Sequence, residues 1–322
     1  MKEKVLVTRH LPGRAVETIA GRYKLTVNPH DRNLSYEELR TLAAGCSGIL
    51  SVLRDRIDRP LIEAVPELRV VSNFAVGYDN IDLAAAAARG IIVTNTPGVL
   101  TEATADIAFA LIMAVGRRIV EADRFTRAGK FDGWAPEMLL GADVHGSTLG
   151  IVGLGGIGLA LARRAAGFDM EVLYYSRNRK PGAERQTGAK YAELDDLLKR
   201  SDYVSVHAPL SSDTFHLIDQ RRLGLMKPTA FLINTARGPV VDEDALVRAL
   251  QEGRIAGAGL DVFEEEPKLH PGLAGLDNTV LLPHIGSASL ATRIRMADMA
   301  VENLLAVLAG DPPPNPVSLP GH

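Results

Sequence analysis

Short apolar runs alternate with amphipathic stretches along almost the whole chain. In the first third the runs are Lys4–Thr8, Lys24–Val27, Gly48–Leu53, Arg69–Asn73 and Ile91–Thr94, each the length of a buried strand. Ser35–Ala44 and Asp82–Arg89 lie between them and read as helices. Pro97-Gly98 punctuates the pattern, and Thr101 is placed to cap one long helix running to about Thr126. A second alternating series starts at Ser147. Its expected strands are Thr148–Val152, Glu171–Tyr175, Tyr203–His207, Ala230–Asn234, Ala256–Asp261 and Thr279–Leu282. A last helix, roughly Ala291 to Ala309, precedes the stiff tail Asp311-Pro312-Pro313-Pro314, which reads as a polyproline-like end piece. Strands alternating with helices predict an α/β chain with parallel sheets joined by right-handed crossovers. Two such series predict two domains. Periodicity alone leaves open to which of them the last helix belongs.

Composition narrows the partners. A length of 322 residues suits two domains, and 46% hydrophobic with 23% charged residues suits a chain with a real core. The formal net charge is -3 and no long basic run occurs, which argues against a nucleic-acid reader. Cys46 is the one cysteine, so disulfides and thiolate metal sites within the chain are excluded. It reads as a small core residue. Neither a signal-type apolar stretch nor a run long enough to span a bilayer is visible, so a soluble, cytoplasmic protein is expected.

The second series carries the chemistry. Gly153-Leu154-Gly155-Gly156-Ile157-Gly158 follows one expected strand and opens an expected helix, Leu159–Gly167. Glycine serves three ends there: a tight turn, backbone approach to a pyrophosphate, and close packing of helix on strand. The N–H groups at the helix start would then face the anion. Alone the pattern is weak, but strand, loop, helix and next strand together make a dinucleotide site the better reading. The next strand ends Tyr174-Tyr175-Ser176-Arg177-Asn178-Arg179-Lys180, with no carboxylate to accept from a ribose hydroxyl. Ser176, Arg177 and Arg179 suit a 2′-phosphate, so NADP(H) is expected in preference to NAD(H), which stays possible. A solvated basic loop is the ordinary alternative.

Arg237, Glu266 and His284 each lie at or just beyond an expected strand end, where open parallel sheets build their active sites. A guanidinium grips a carboxylate through two parallel hydrogen bonds. An imidazole can carry one proton to or from a hydroxyl, and a carboxylate beside it orients the ring and favours imidazolium. Taken singly these residues read as a surface ion pair, a solvated acid and a turn histidine. Taken together beside a phosphate loop they read as the machinery of a 2-hydroxyacid dehydrogenase working mainly as a reductase of small 2-keto acids.

The stretches Gly153–Gly158, Asn234–Gly238, Gly259–Phe263 with Glu266-Pro267, and Pro283–Ser287 closely resemble the D-2-hydroxyacid dehydrogenase family, over nearly the whole chain. The resemblance implies two Rossmann-like or flavodoxin-like parallel-sheet domains with the active site in the cleft between them, closing over substrate. It implies a discontinuous substrate domain, 1–98 plus 289–322, and a dinucleotide domain, 99–288. Arg237 becomes the substrate-orienting arginine, Glu266 the histidine partner and His284 the acid/base. Asp261 would hold the nicotinamide carboxamide, while Thr104, His207-Ala208-Pro209, Thr235, Ala236 and Gly286 would be further cofactor contacts. The N–H groups of Val76 and Gly77 would take the substrate carboxylate and Leu53 would line the side-chain pocket. The glyoxylate/hydroxypyruvate reductase branch is the most similar, through Tyr175-Ser176-Arg177 and Gly133-Trp134-Ala135-Pro136. By that analogy Trp134 reaches a partner's active site in a homodimer, or else is buried locally. Asn73 departs from the phosphate-binding arginine of phosphoglycerate dehydrogenases, Val76 from the lysine of phosphite dehydrogenases, and Glu266 from formate dehydrogenases, which replace it.

Other classes stay in view: a dehydrogenase for a bulkier 2-keto acid, a cofactor-binding regulator on the same fold, and a metal-dependent lyase or hydrolase. No HxH or HxxxH pair supports the last, and no metal is expected. Ranking glyoxylate against hydroxypyruvate or pyruvate depends on pocket shape and is worth only about 1–3 kcal/mol per methylene.

Overall fold

A computed structural model describes residues 2–318 of the chain, so the last four residues of the segment 289–322 lie outside the description. The chain divides into two compact units. One holds the described residues up to Leu100 together with those from Ser287 onward, and the other is Thr101–Gly286.

The first unit is built on a sheet of β1 (Lys4–Val7), β2 (Lys24–Val27), β3 (Cys46–Ser51), β4 (Val70–Asn73) and β5 (Ile92–Thr94), in the order β2-β1-β3-β4-β5. Every pairing between these strands is parallel. β3 and β4 are buried along their whole length, as strands of a parallel sheet covered on both faces are. Helix Leu290–Ala309 packs on this sheet and answers what periodicity left open. The Ser72 hydroxyl donates to the Ala300 carbonyl (2.7 Å), and the Arg69 guanidinium donates to the carbonyls of Val307 and Leu308 (3.0 and 3.3 Å). The proline-rich tail is more than an end piece. Thr94 and Pro316 form an antiparallel bridge, and the Val317 N–H donates to the Val93 carbonyl (2.8 Å).

The second unit holds β6 (Thr148–Val152), β7 (Glu171–Tyr175), β8 (Lys190–Tyr191), β9 (Tyr203–Val206), β10 (Phe231–Asn234), β11 (Gly257–Leu260) and β12 (Thr279–Leu281). Their order is β12-β11-β10-β9-β6-β7-β8, again wholly parallel. The order reverses between β6 and β9, and open α/β sheets bind ligands at that switch point. The expectation of two parallel-sheet α/β domains therefore holds. Two-residue β8 has too little pattern to be read from sequence.

The long helix expected from Thr101 is two helices, Thr101–Gly116 and Ile119–Arg127. The break coincides with contacts from elsewhere in the chain. A Cβ at Gly116 would sit 2.4 Å from the Tyr203 hydroxyl, so the ring occupies the side-chain space. The Gly116 carbonyl accepts from the Ala142 N–H (2.8 Å), a partner outside the helix, and Arg118 turns left-handed at φ 53°. Helix Gly156–Ala166 begins three residues before its expected start, inside the glycine fingerprint. Cys46 is fully buried, and burial pushes its thiol up, as suits a core residue.

Candidate active site

The glycine loop emerges at the carboxyl end of β6. Gly153 has φ 102°, and a Cβ there would lie 2.8 Å from both the Ala208 nitrogen and the His207 carbonyl carbon. A side chain is excluded by backbone on that side. At Gly158 a Cβ would meet the Gly153 carbonyl oxygen at 2.4 Å, so helix and loop touch without a spacer. Gly155 differs, because a Cβ there would meet nothing within 4 Å. Its open side is where a ligand can approach the backbone. No side chain caps helix Gly156–Ala166, so the N–H groups of Gly156, Ile157 and Gly158 are left for an anion. The loop is tied to β7 by two bonds: Gly153 N–H to the Tyr175 carbonyl and Leu154 N–H to the Ser176 hydroxyl, both 2.8 Å.

Beyond β7 the two arginines separate in role. Arg179 is bound to Glu184 (2.7 and 3.1 Å), whose carboxylate also accepts from the Tyr174 hydroxyl (2.6 Å). Arg177 meets Asp213 at 3.3 Å, with both side chains about three-quarters exposed. Sequence alone did not distinguish the two.

His207 follows β9, with Nε2 2.8 Å from the buried Ser205 hydroxyl. Burial drives its imidazole down to about 4, so at neutral pH it is uncharged beside the glycine loop. Ala208 is buried, and the exposed Pro209 gives its carbonyl to the Thr214 hydroxyl (2.6 Å). After β10 the Asn234 side chain templates a turn, accepting from the Ala236 N–H and donating to the Arg237 carbonyl, both 3.0 Å. Thr235 Oγ1 is buried with no partner among the described residues. Such an atom is costly unless a ligand satisfies it, and with open Gly155 and the uncapped helix it fits a bound dinucleotide.

The carboxyl ends of β11 and β12 build the dyad. His284 Nδ1 lies 3.0 and 3.2 Å from the two Glu266 oxygens, and Glu266 Oε1 also accepts from the Phe263 N–H (3.1 Å). His284 is left-handed at φ 57°, a conformation that costs a non-glycine residue about 1–3 kcal/mol. Asp261, which is 1% exposed, holds it there. Its two oxygens accept from the Ile285 and Gly286 N–H groups, each at 2.7 Å. Burial raises the Asp261 carboxyl, and these two bonds counter that rise. A Cβ on Gly286 would come within 3.1 Å of Asp261 and 3.3 Å of Thr104, which brings these three residues together. The Asp261 grip on the following backbone was not foreseen from sequence. Among the described residues no group of three or more His, Cys, Asp or Glu is placed to hold a metal ion.

In the first unit, Leu53 lies half-buried in the turn after β3. Asn73 donates to the Gly77 carbonyl (2.9 Å) and Asn95 to the Val76 carbonyl (2.8 Å). Among the described residues no acceptor faces the Val76 or Gly77 N–H, so the loop presents two donors in a row.

Comparison with known proteins agrees with this chemistry. Residues 109–286 match the family model described as D-isomer specific 2-hydroxyacid dehydrogenase, NAD binding domain. A glyoxylate reductase of Thermococcus litoralis is 50% identical over 99% of this chain and 97% of its own. One from Korarchaeum cryptofilum is 52% identical over 99% and 96%. Among solved structures, the NADPH-dependent glyoxylate/hydroxypyruvate reductase of Sinorhizobium meliloti, in complex with NADP and malonate, superposes with a TM-score of 0.87. It is 36% identical over 99% of this chain and 97% of that one. The chain belongs to the D-isomer specific 2-hydroxyacid dehydrogenase family.

Proposed function

We propose that the chain reduces small 2-keto acids, glyoxylate and hydroxypyruvate foremost, to 2-hydroxy acids with a nicotinamide cofactor, NADPH in preference to NADH. The observation that carries this reading is the His284–Glu266 pair, fixed by Asp261 in the same unit as the glycine loop. A reduced nicotinamide, when bound, supplies the hydride to the carbonyl carbon. The remaining services belong to the chain. Arg237 holds the substrate carboxylate, and the N–H groups of Val76 and Gly77 are assigned to the same group. His284 hands a proton to the carbonyl oxygen as that oxygen gains charge, while Glu266 balances the ring and keeps it aimed. Leu53 faces the substrate's side chain. Glycines 153, 155, 156 and 158 with Leu154 and Ile157 hold the pyrophosphate. Thr104, His207, Ala208, Pro209, Thr235, Ala236 and Gly286 contact the rest of the cofactor. Asp261 is assigned to the carboxamide as well as to the backbone.

A steady-state panel of glyoxylate, hydroxypyruvate, pyruvate and bulkier keto acids, each with NADPH and NADH, tests the reading. Glyoxylate or hydroxypyruvate with NADPH should give the highest kcat/KM. NADPH binding without turnover of any keto acid would instead make the chain a regulator.

The preference for NADPH is assigned to Ser176 and Arg177. Because Arg179 is committed to Glu184, Arg177→Ala should raise the KM for NADPH about tenfold and leave that for NADH within twofold. Arg179→Ala should change the NADPH value much less. Equal sensitivity of both cofactors to Arg177→Ala would show that this guanidinium does not see the phosphate.

We also assign the chain to a homodimer. Ile119, Phe131, Trp134 and Leu140 are all exposed within one segment, Trp134 at 82%. Single exposed apolar residues are ordinary, but a cluster on one segment suits an interface. By analogy with the branch, Trp134 would reach the partner's active site. A sedimentation mass of one chain would end this assignment. No helix among the described residues is long and apolar enough to cross a membrane. A cytoplasmic site of action goes with the reading, and recovery of the native protein from an extracellular fraction would overturn it.

A further inference from the structure

Glu264 lies two residues before Glu266, on the side of that segment that meets the Arg237 segment. Its backbone N–H donates to Glu243 Oε2 (3.1 Å), and its own Oε2 accepts from the Glu243 N–H (3.3 Å). The two glutamates thus clasp each other's backbone. The other Glu264 oxygen pairs with His216 Nε2 at 2.8 Å. His216 is itself fastened to the Arg237 segment, because its N–H donates to the Pro239 carbonyl (2.8 Å). The Ile218 N–H adds a bond to the Val240 carbonyl (3.0 Å), and the Asp242 N–H one to the Ile218 carbonyl (3.0 Å).

The contact beneath this clasp is unusually close. A Cβ on Gly238 would sit 1.9 Å from the Phe263 carbonyl carbon and 2.4 Å from the Glu264 nitrogen. The residue after Arg237 therefore lies directly on the backbone two and three residues before Glu266. The clasp also has a cost. Glu243 is 8% exposed, and its Oε1 is buried with no partner among the described residues. A buried unsatisfied oxygen costs stability, about 1–3 kcal/mol. A clasp that served stability alone would be better built without it.

We propose that Glu264, with Glu243 and His216, is a positioning residue that fixes the Arg237 segment against the Glu266 segment, and so sets the carboxylate-binding arginine relative to the histidine pair. None of the three is assigned to touch substrate or cofactor. The proposal rests on the function given above. Its physical basis is that misplacing a reacting group by about 1 Å can cost on the order of a hundredfold in rate.

The test measures kcat and KM per active site, with active sites counted by NADPH binding. Glu264→Ala should lower kcat/KM for glyoxylate about 10- to 100-fold and leave the Kd for NADPH within twofold. Glu264→Gln keeps an acceptor for the Glu243 N–H and offers its amide to the His216 ring, so it should restore most of the loss. His216→Ala, which removes one arm only, should fall between wild type and Glu264→Ala. If Glu264→Ala does not fold, Glu264→Gln and His216→Ala still rank against wild type in the same assay. Normal turnover per active site in Glu264→Ala, or in His216→Ala where the first is lost, would overturn the proposal, as would a loss that follows only the amount of folded protein. Wild type and His284→Asn run alongside. Wild type without turnover would sink the functional reading itself, whereas an active wild type with an inert His284→Asn and an unaffected Glu264→Ala would sink the positioning role alone.

Discussion

His284→Asn should lower kcat for glyoxylate reduction about a thousandfold and leave NADPH affinity nearly unchanged. Positioned proton transfer contributes roughly 10²–10⁴ to a rate, and asparagine cannot supply it. The choice of asparagine follows from the backbone. His284 sits at φ 57°, and asparagine is among the non-glycine residues that tolerate the left-handed region best. The Asp261 bonds run to the backbone of residues 285 and 286, so they survive the change. Structure is thereby held while chemistry is removed. Rapid mixing with the reduced cofactor would separate hydride transfer from product release. A variant turning over within tenfold of wild type would take His284 out of the proton path.

Much of this arrangement could be read from the chain because its signals are local. The glycine loop, the run Thr148–Val152 and the polar residues at the ends of β10 and β11 each sit within a few residues of the pattern that reveals them. What escaped depends on distant partners. The break after Gly116 falls where the Tyr203 ring and the Ala142 N–H meet that residue, both far along the chain. The division of labour between Arg177 and Arg179 depends on where Glu184 falls on the next short helix. Asn73 and Asn95 hold carbonyls in the Val76–Gly77 loop from different strands' ends, and asparagine carries no such message by itself. Glu264 was hidden among three consecutive glutamates, of which Glu266 is the one paired with His284. A run of like charges looks solvated until its partners are known. Glu264 is instead held by a histidine and a backbone N–H that the sequence places 48 and 21 residues away.

Asp261→Asn should be damaging too, second to loss of the histidine, although aspartate and asparagine are close in size. The carboxylate offers an oxygen to each of two N–H groups, Ile285 and Gly286, at 2.7 Å. An amide can match one of them and must turn its own NH2 toward the other, donor against donor. Hydrogen bonds to a charged group are worth about 1.5–3 kcal/mol each, and a buried donor left unmet adds its desolvation cost. The left-handed turn at His284 then loses one of the two Asp261 bonds beside it, and the ring can leave Glu266. We expect kcat to fall about a hundredfold and thermal stability to fall with it, by about 2 kcal/mol. The sign with pH is fixed by the raised carboxyl of wild type. Because folding raises this group's affinity for a proton, its ionised form weighs against the fold above its folded pKa, and that penalty fades as the pH drops through it. The asparagine variant lacks this titration, so the stability gap between the two proteins should be wider at pH 4 than at pH 7. A gap that narrows on acidification, with turnover intact, would mean that Asp261 neither bears a buried charge nor steers His284.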